Sequence, residues 1–128
     1  MTDPHDPLAV VKAFMAAMAV KDYDNGLRFI AEDCVYENMP LAKVSGPAGV
    51  RAVLEPFFAP TIENEFLILR EATAGPVVFL ERLDRHLVAS GWVELPVIGV
   101  FEVRGGKIAL WRDYFDAATI LSKWPAAA

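Results

Sequence analysis

The second half of the chain reads as four strands in succession, and this pattern constrains the fold more than any other feature. Strand-like sequence covers approximately residues 65–71, 76–87, 91–103 and 107–114. Gly105-Gly106 between the last two segments is typical of a tight hairpin, and Ala89-Ser90-Gly91 marks another. Since hairpins join antiparallel neighbours, the sequence predicts a largely antiparallel sheet.

The first half supplies helices to cover that sheet. Asp6-Pro7, an acceptor followed by proline, is a favourable helix start. Helices are predicted over residues 8–20, 23–31 and 116–124 and from Ser45-Gly46-Pro47 to Phe57, with a strand over 34–38 and a loop between Pro40 and Gly46. This order predicts one α+β domain over residues 1–128, with N-terminal helices on one face of a curved, cone-shaped, mostly antiparallel sheet.

Two further expectations concern individual helices. In the first helix, an apolar face is expected to pack on the sheet, and it consists of Val11, Phe14, Met15 and Met18. In the last helix, Ile120 and Trp124 share a face that could close the open end of the sheet or meet a second subunit.

Composition excludes several classes of function. The net charge is -5 and no Lys/Arg cluster occurs, which argues against nucleic-acid and membrane partners. No apolar run reaches membrane-spanning length and residues 1–7 do not resemble a secretory signal, so a cytoplasmic location is expected. Cys34 is the single cysteine, best explained as a small buried strand residue, and with only His5 and His86 no zinc site is expected.

Three strand-like segments carry polar groups that are costly to bury, at residues 36–38, 82–84 and 111–113. Alternate residues of a strand share a face, so Tyr36 can point with Asn38, and Arg82 with Asp84, into one interior. Glu37, Glu81 and Arg112 occupy the alternate positions and are expected to face outward. If the segments share a sheet, one pocket holds the candidate catalytic set: Tyr36, Asn38, Arg82, Asp84 and Asp113.

Such a set suits acid/base chemistry on a water molecule. One carboxyl can deprotonate the water while the other protonates a leaving oxygen, and Arg82 can hold both. Tyr36 and Asn38 offer further groups to position the water. Spacing leaves open which aspartate is the acid, and a buried ion pair without catalytic role is the structural alternative. His86 shares the register of Asp84 and is interpreted as a hydrogen-bonded or rim residue outside the catalytic set.

Short motifs that carry these residues extend over nearly the whole chain. They are Tyr36-Glu37-Asn38-Met39-Pro40, Glu81-Arg82-Leu83-Asp84, Gly99-Val100-Phe101, Gly106-Lys107-Ile108 and Trp111-Arg112-Asp113-Tyr114-Phe115-Asp116. In these motifs the chain resembles the limonene-1,2-epoxide hydrolases. The resemblance implies the cone-shaped fold shared with nuclear transport factor 2 and ketosteroid isomerase, a homodimer, and no metal or organic cofactor.

The resemblance also implies a role for each candidate residue. Asp113 would activate a water held by Tyr36 and Asn38. Asp84 would protonate the oxygen of a small apolar epoxide, terpene-like or cyclic, and Arg82 would bridge the two aspartates. Hydrolysis would give a vicinal diol in one step, without a covalent ester. His86 stands where an apolar wall residue would be expected, and the substrate wall itself would comprise Met15, Met18, Phe57, Leu95, Val97, Phe115 and Ile120.

Other functions are compatible with the same fold class. A ketosteroid-isomerase-like or polyketide-cyclase-like enzyme would use the same scaffold, although the isomerase does not need an arginine between two aspartates. A non-catalytic binding or dimerisation module would need no intact set of five polar residues.

Overall fold

A computed structural model describes residues 6–39, 41 and 43–125 of the 128. These residues form four α-helices and a six-stranded sheet. The helices are α1 (Pro7–Ala19), α2 (Tyr23–Gly26), α3 (Gly46–Phe58) and α4 (Ala117–Lys123), and a 3₁₀ turn, Leu27–Phe29, follows α2. The strands are β1 (Ile30–Met39), β2 (Lys43–Ser45), β3 (Glu63–Ala74), β4 (Val77–Val88), β5 (Gly91–Arg104) and β6 (Lys107–Tyr114).

The sheet has the strand order β2-β1-β6-β5-β4-β3. Only the β1–β6 pair in the described sheet is parallel, and the other neighbours are antiparallel. Gly105 and Gly106 form the β5–β6 turn with φ of 57° and 80°, a backbone region that glycine adopts without strain. The predicted α+β class, with a curved and mostly antiparallel sheet, is confirmed.

The helices cover one face of the sheet as expected. Asp6 caps α1 by accepting a hydrogen bond from the backbone N–H of Ala9, and Pro7 follows at the first helical position. The predicted apolar face is buried in the main core together with residues of α3 and the strands: Val11, Phe14, Met15 and Met18. No helix in the described residues is long and apolar enough to cross a membrane.

Two local predictions were wrong. The second helix ends at Gly26, with Leu27–Phe29 in the 3₁₀ turn, because Ile30 and Ala31 belong to β1, where Ile30 pairs with Ile108 of β6. Tertiary strand pairing overrides the local helical pattern there. The loop predicted before Gly46 contains the edge strand β2, which pairs antiparallel with β1. Its three residues are too few for a recognisable period. The expectations for residues 1–5 and Pro40 lie outside the described residues.

The C-terminal helix closes the open end of the sheet. Ile120 is buried in a second apolar cluster with Val88, Val93, Leu95 and Val97. Trp124, just beyond α4, stacks on Phe57 of α3 with ring centroids 4.2 Å apart and planes within 4° of parallel. Of the two roles predicted for this helix, the structure shows the closing one.

Candidate active site

Arg82 lies at the centre of the polar group and binds both aspartates. Its Nε and Nη2 donate to the two carboxylate oxygens of Asp84, each at 2.9 Å. Its Nη1 and Nη2 donate to Asp113 at 3.2 and 3.0 Å. Arg82 is 1% exposed and each aspartate is 6% exposed, so the bridge is desolvated. Burial alone lowers the pKa of Arg82, but the two carboxylates outweigh it and raise that pKa, so the guanidinium stays charged.

Asp113 receives one more donor than Asp84. The indole Nε1 of Trp111 donates to Asp113 Oδ1 at 2.8 Å. Burial raises the pKa of Asp113 and the neighbouring Asp84 adds to this, while Arg82 and the Trp111 hydrogen bond lower it. The net direction is upward from the ordinary value. One cation between two buried carboxyls favours uptake of one proton by the pair.

Tyr36 and Asn38 lie on β1, beside the parallel strand β6. Asn38 is the register partner of Asp113, and the Tyr36 hydroxyl donates to Asn38 Oδ1 at 3.1 Å. The Tyr36 ring stacks on Trp111 with centroids 4.0 Å apart, which fixes its position. Burial, followed by the charge of Asp113, raises the pKa of Tyr36, so this hydroxyl remains protonated.

All five of these polar residues line one cavity of about 280 Å³. The rest of the wall is mainly apolar, and it contains every residue predicted to form the substrate wall: Met15, Met18, Phe57, Leu95, Val97, Phe115 and Ile120. The alternation argument therefore places the predicted residues around one space. In the described part of the chain, no group of three His, Cys, Asp or Glu side chains could hold a metal ion.

The residues predicted to face outward, Glu37, Glu81 and Arg112, also follow the alternation of side chains along their strands. Glu37 and Arg112, register partners on β1 and β6, form an ion pair at 3.0 Å, and Glu81 pairs with Arg70 of β3. None of the four lines the cavity. Cys34 is fully buried, as predicted, and burial raises the pKa of its thiol to about 11.

Sequence reasoning missed two residues on which the arginine bridge depends, Trp111 as a hydrogen-bond donor to Asp113 and Gly99 as the residue that leaves room for Arg82. Trp111 precedes Asp113 by two positions, so the alternation that linked Arg82 to Asp84 could have found it. Gly99 of β5 is the register partner of Asp113. A Cβ there would lie 2.5 Å from Arg82 Nη1 and 2.9 Å from Asp113 Oδ1. A glycine inside a strand often marks such a close approach, so this signal was present too.

His86 lines the same cavity but does not contact the aspartates. It is 1% exposed, and its Nδ1 lies 2.7 Å from Asn64 Oδ1 on the neighbouring strand β3. The interpretation of His86 as a hydrogen-bonded residue is confirmed.

Comparison with known proteins identifies the family of this chain. Residues 5–126 match the model of the limonene-1,2-epoxide hydrolase catalytic domain. The chain belongs to the limonene-1,2-epoxide hydrolase family.

Within this family, the chain is similar to epoxide hydrolase EphG of Mycobacterium tuberculosis. The two are 35% identical over 106 residues, which is 83% of this chain and 70% of EphG. The solved structure of an M. tuberculosis epoxide hydrolase similar to the family superposes with a TM-score of 0.79 at 32% identity, covering 91% of this chain and 86% of that one.

The same fold occurs well outside the family. A Shewanella putrefaciens protein described as a SnoaL-like polyketide cyclase superposes with a TM-score of 0.83 at 16% identity, covering 91% of this chain and 94% of that one. At this identity the likeness shows the fold alone. The predicted nuclear transport factor 2-like fold is confirmed.

Proposed function

We propose that the protein is an epoxide hydrolase that adds water to a small, mainly apolar epoxide and releases a vicinal diol. The observation that carries this proposal is the Arg82 bridge between Asp84 and Asp113, which lies beside the Tyr36–Asn38 pair in the wall of a mainly apolar cavity. The cavity of about 280 Å³ is slightly smaller than most ligand pockets, which run from roughly 300 to 1,000 Å³. A terpene-like or cyclic epoxide fits this description.

The hydrogen-bond directions suit a single water molecule as the nucleophile. Because the Tyr36 hydroxyl gives its proton to Asn38 Oδ1, the Tyr36 oxygen can accept a hydrogen from water. Asp113 accepts the second hydrogen, and the Asn38 amide N–H₂ donates to one lone pair of the water. The remaining lone pair is then directed at the epoxide carbon.

The reaction is a single concerted displacement of the epoxide oxygen by water. The water oxygen bonds to carbon as its proton passes to the Asp113 carboxylate, and the carbon–oxygen bond of the epoxide breaks. The electron pair of that bond remains on the epoxide oxygen, which takes the proton of Asp84. Asp113 is left protonated and Asp84 ionised, so one proton must return to Asp84 before the next turnover. Arg82 holds both carboxyls in place throughout and carries the compensating charge.

The assignment of Asp113 as base and Asp84 as acid has support in the donor count. Asp113 accepts bonds from Nη1 and Nη2 of Arg82 and from Trp111, whereas Asp84 accepts only from Arg82 among the described residues. Donors stabilise the ionised carboxylate, so the additional bond from Trp111 favours the ionised form of Asp113 that a base requires. The raised pKa of Asp113 increases its strength as a base once it is ionised.

The test is diol formation from limonene oxide, cyclohexene oxide and styrene oxide by wild type and by Asp113→Asn. The variant should lose roughly 10²- to 10⁴-fold in kcat, the usual contribution of a positioned base. Asp33→Asn is the matched control, because Asp33 is 72% exposed in its ion pair with Arg104 and should retain full activity. Equal rates for Asp113→Asn and wild type would refute the mechanism. Absence of diol from every epoxide, with tight binding of an apolar ligand, would favour the binding-module alternative.

A single turnover in ¹⁸O-labelled water distinguishes one-step hydrolysis from an ester intermediate. Direct attack by water places the label in the first diol formed by each enzyme molecule. An aspartyl ester would instead deliver an unlabelled carboxylate oxygen in that first turnover. Mass spectrometry of the diol, with enzyme in excess over epoxide, reads the result directly.

We further propose that the protein is a homodimer that uses the outer face of the sheet. Ile98 and Tyr114, register partners on β5 and β6, are 45% and 42% exposed, and Phe79 on β4 is 41% exposed. Apolar side chains grouped on a sheet face are typical of an interface. Sedimentation of wild type and Ile98→Glu tests this, since a monomeric wild type would refute it. The cytoplasmic location and the lack of nucleic-acid or membrane partners stay predictions.

A further inference from the structure

A chain of buried polar groups begins at the cavity and runs away from the aspartates. His86 Nδ1 lies 2.7 Å from Asn64 Oδ1, and Asn64 Nδ2 donates to Thr61 Oγ1 at 2.9 Å. The Thr61 hydroxyl in turn donates to the backbone carbonyl of Phe58 at 2.7 Å. His86, Asn64 and Thr61 are all buried, so the direction of each bond is constrained.

These directions fix the tautomer of His86. Since the Thr61 hydroxyl gives its only proton to Phe58, its oxygen must accept from the Asn64 N–H₂. The Asn64 carbonyl oxygen therefore faces His86, and His86 Nδ1 must carry the proton. In the neutral ring Nε2 is then an unprotonated acceptor.

That acceptor belongs to a side chain in the cavity wall. Among the described residues Nε2 has no hydrogen-bond partner, while no fully buried side-chain nitrogen or oxygen is left without one. Since His86 lines the cavity, we infer that Nε2 is the atom it offers to a ligand there. The surrounding rings are apolar: Trp124 and Phe57 meet His86 edge-to-face at 5.2 and 5.5 Å. Burial, followed by the charge of Arg82, lowers the pKa of His86 to about 4, so the ring is neutral near pH 7.

We propose that His86 is a specificity residue whose Nε2 accepts a hydrogen bond from a hydroxyl group on the substrate, so that the cavity selects a hydroxylated epoxide over the corresponding hydrocarbon epoxide. This inference rests on the proposed epoxide hydrolysis and names the substrate class more closely. A fixed acceptor in an apolar wall favours the hydroxylated substrate, because a hydrocarbon leaves it unpaired whereas a hydroxyl satisfies it.

Strand geometry gives the distance between the two ends of such a substrate. Asp84 and His86 are two residues apart on the same face of β4, so their side chains leave the strand about 6–7 Å from each other. The hydroxyl should therefore lie about that far from the epoxide oxygen that Asp84 protonates. The 1,2-epoxide of α-terpineol has this arrangement, and the 1,2-epoxide of p-menth-1-ene has the same carbon skeleton without the hydroxyl.

The first experiment compares kcat/KM for these two epoxides in wild type and His86→Leu. The preference for the hydroxylated epoxide should fall roughly five- to tenfold in the variant, as expected for loss of one neutral hydrogen bond. The loss should be confined to the hydroxylated substrate. If His86 only fills the core, both substrates will change by the same factor and the preference will stay constant, which overturns the inference.

The second experiment does not depend on turnover. In protein labelled with ¹⁵N-histidine, the Nε2 resonance of His86, assigned by its loss in His86→Leu, should shift when α-terpineol is added and stay fixed with p-menth-1-ene. A shift without diol formation from either epoxide would support the inference and refute the proposed reaction. Diol formation with the same substrate preference in wild type and His86→Leu, together with an unshifted Nε2 resonance, would support the proposed reaction and refute the inference.

His86→Leu leaves Asn64 Oδ1 without its partner and could unfold the protein. If the variant melts below the assay temperature, His86→Leu combined with Asn64→Leu removes both polar groups together, and the same comparison of kcat/KM applies. In that case the double variant also serves to assign the Nε2 resonance, and the ligands are compared on wild type.

Discussion

The indole hydrogen bond from Trp111 to Asp113 should control the pH at which the enzyme becomes active. Trp111→Phe removes this 2.8 Å bond. Phenylalanine retains an aromatic ring to stack on Tyr36, whose centroid lies 4.0 Å from that of Trp111. The change therefore removes one donor to the base and keeps an aromatic ring in the core, and the pH dependence separates the lost donor from the lost packing.

The size of the effect follows from the bond and its burial. Trp111 is 3% and Asp113 6% exposed, so solvent cannot replace the lost donor well. A hydrogen bond to a charged group contributes about 1.5–3 kcal/mol, so its removal lowers the ionised fraction of Asp113 roughly ten- to hundredfold where the base is mostly protonated. The pKa of Asp113 rises further above its ordinary value. Because the base must be ionised, the acid limb of the profile moves to higher pH.

The assay is a pH profile of kcat/KM for the best epoxide of the panel, for wild type, Trp111→Phe and Trp92→Phe. Trp92 is 39% exposed and packs on Arg85, so Trp92→Phe should leave the profile unchanged. The loss in Trp111→Phe should be largest at low pH and shrink as pH rises. An equal loss at every pH would refute the reasoning, because it would show that Trp111 acts only through packing.

Two further predictions concern Gly99 and His86. Gly99→Ala should lower kcat roughly tenfold to hundredfold with little change in KM, because the new methyl displaces Arg82 from Asp113. Gly49→Ala in α3 is the control. An unchanged kcat in Gly99→Ala would contradict the close approach of Gly99 to Arg82. His86 is buried in its neutral form, with a pKa of about 4 against 6.5 in the unfolded chain. The free energy of unfolding should therefore have its full value above pH 6.5 and fall by roughly 2–4 kcal/mol as the pH is lowered to about 4. The free energy of unfolding of His86→Leu, measured in urea, should depend less on pH in that window. The same pH dependence as in wild type would argue against a buried neutral ring.

Much of the site could be predicted because its parts are strand residues two positions apart. Arg82 with Asp84, and Tyr36 with Asn38, share a face in any strand that contains them, whatever the rest of the fold. The structure puts these pairs and Asp113 around one cavity. Their catalytic roles stay predictions until the variants are measured.

Other parts depended on contacts between distant segments. Nothing in residues 27–31 indicates that the helical pattern must give way at Ile30, because its strand partner, Ile108, lies far along the chain. The partner of His86 was equally hidden, since Asn64 reaches it only through the β3–β4 register. Local periodicity carries no information about such pairings.

Apart from the short edge strand β2, the sequence by itself determined the order of helices and strands, the hairpin turns and the faces on which the polar residues lie, because these follow from local backbone preferences and from alternation within a strand. Only the tertiary structure decided that Arg82 meets both aspartates, that Gly99 makes room for this bridge, and that His86 lines the cavity. Those properties depend on distances between strands, which are set by sheet register and curvature when the whole core packs.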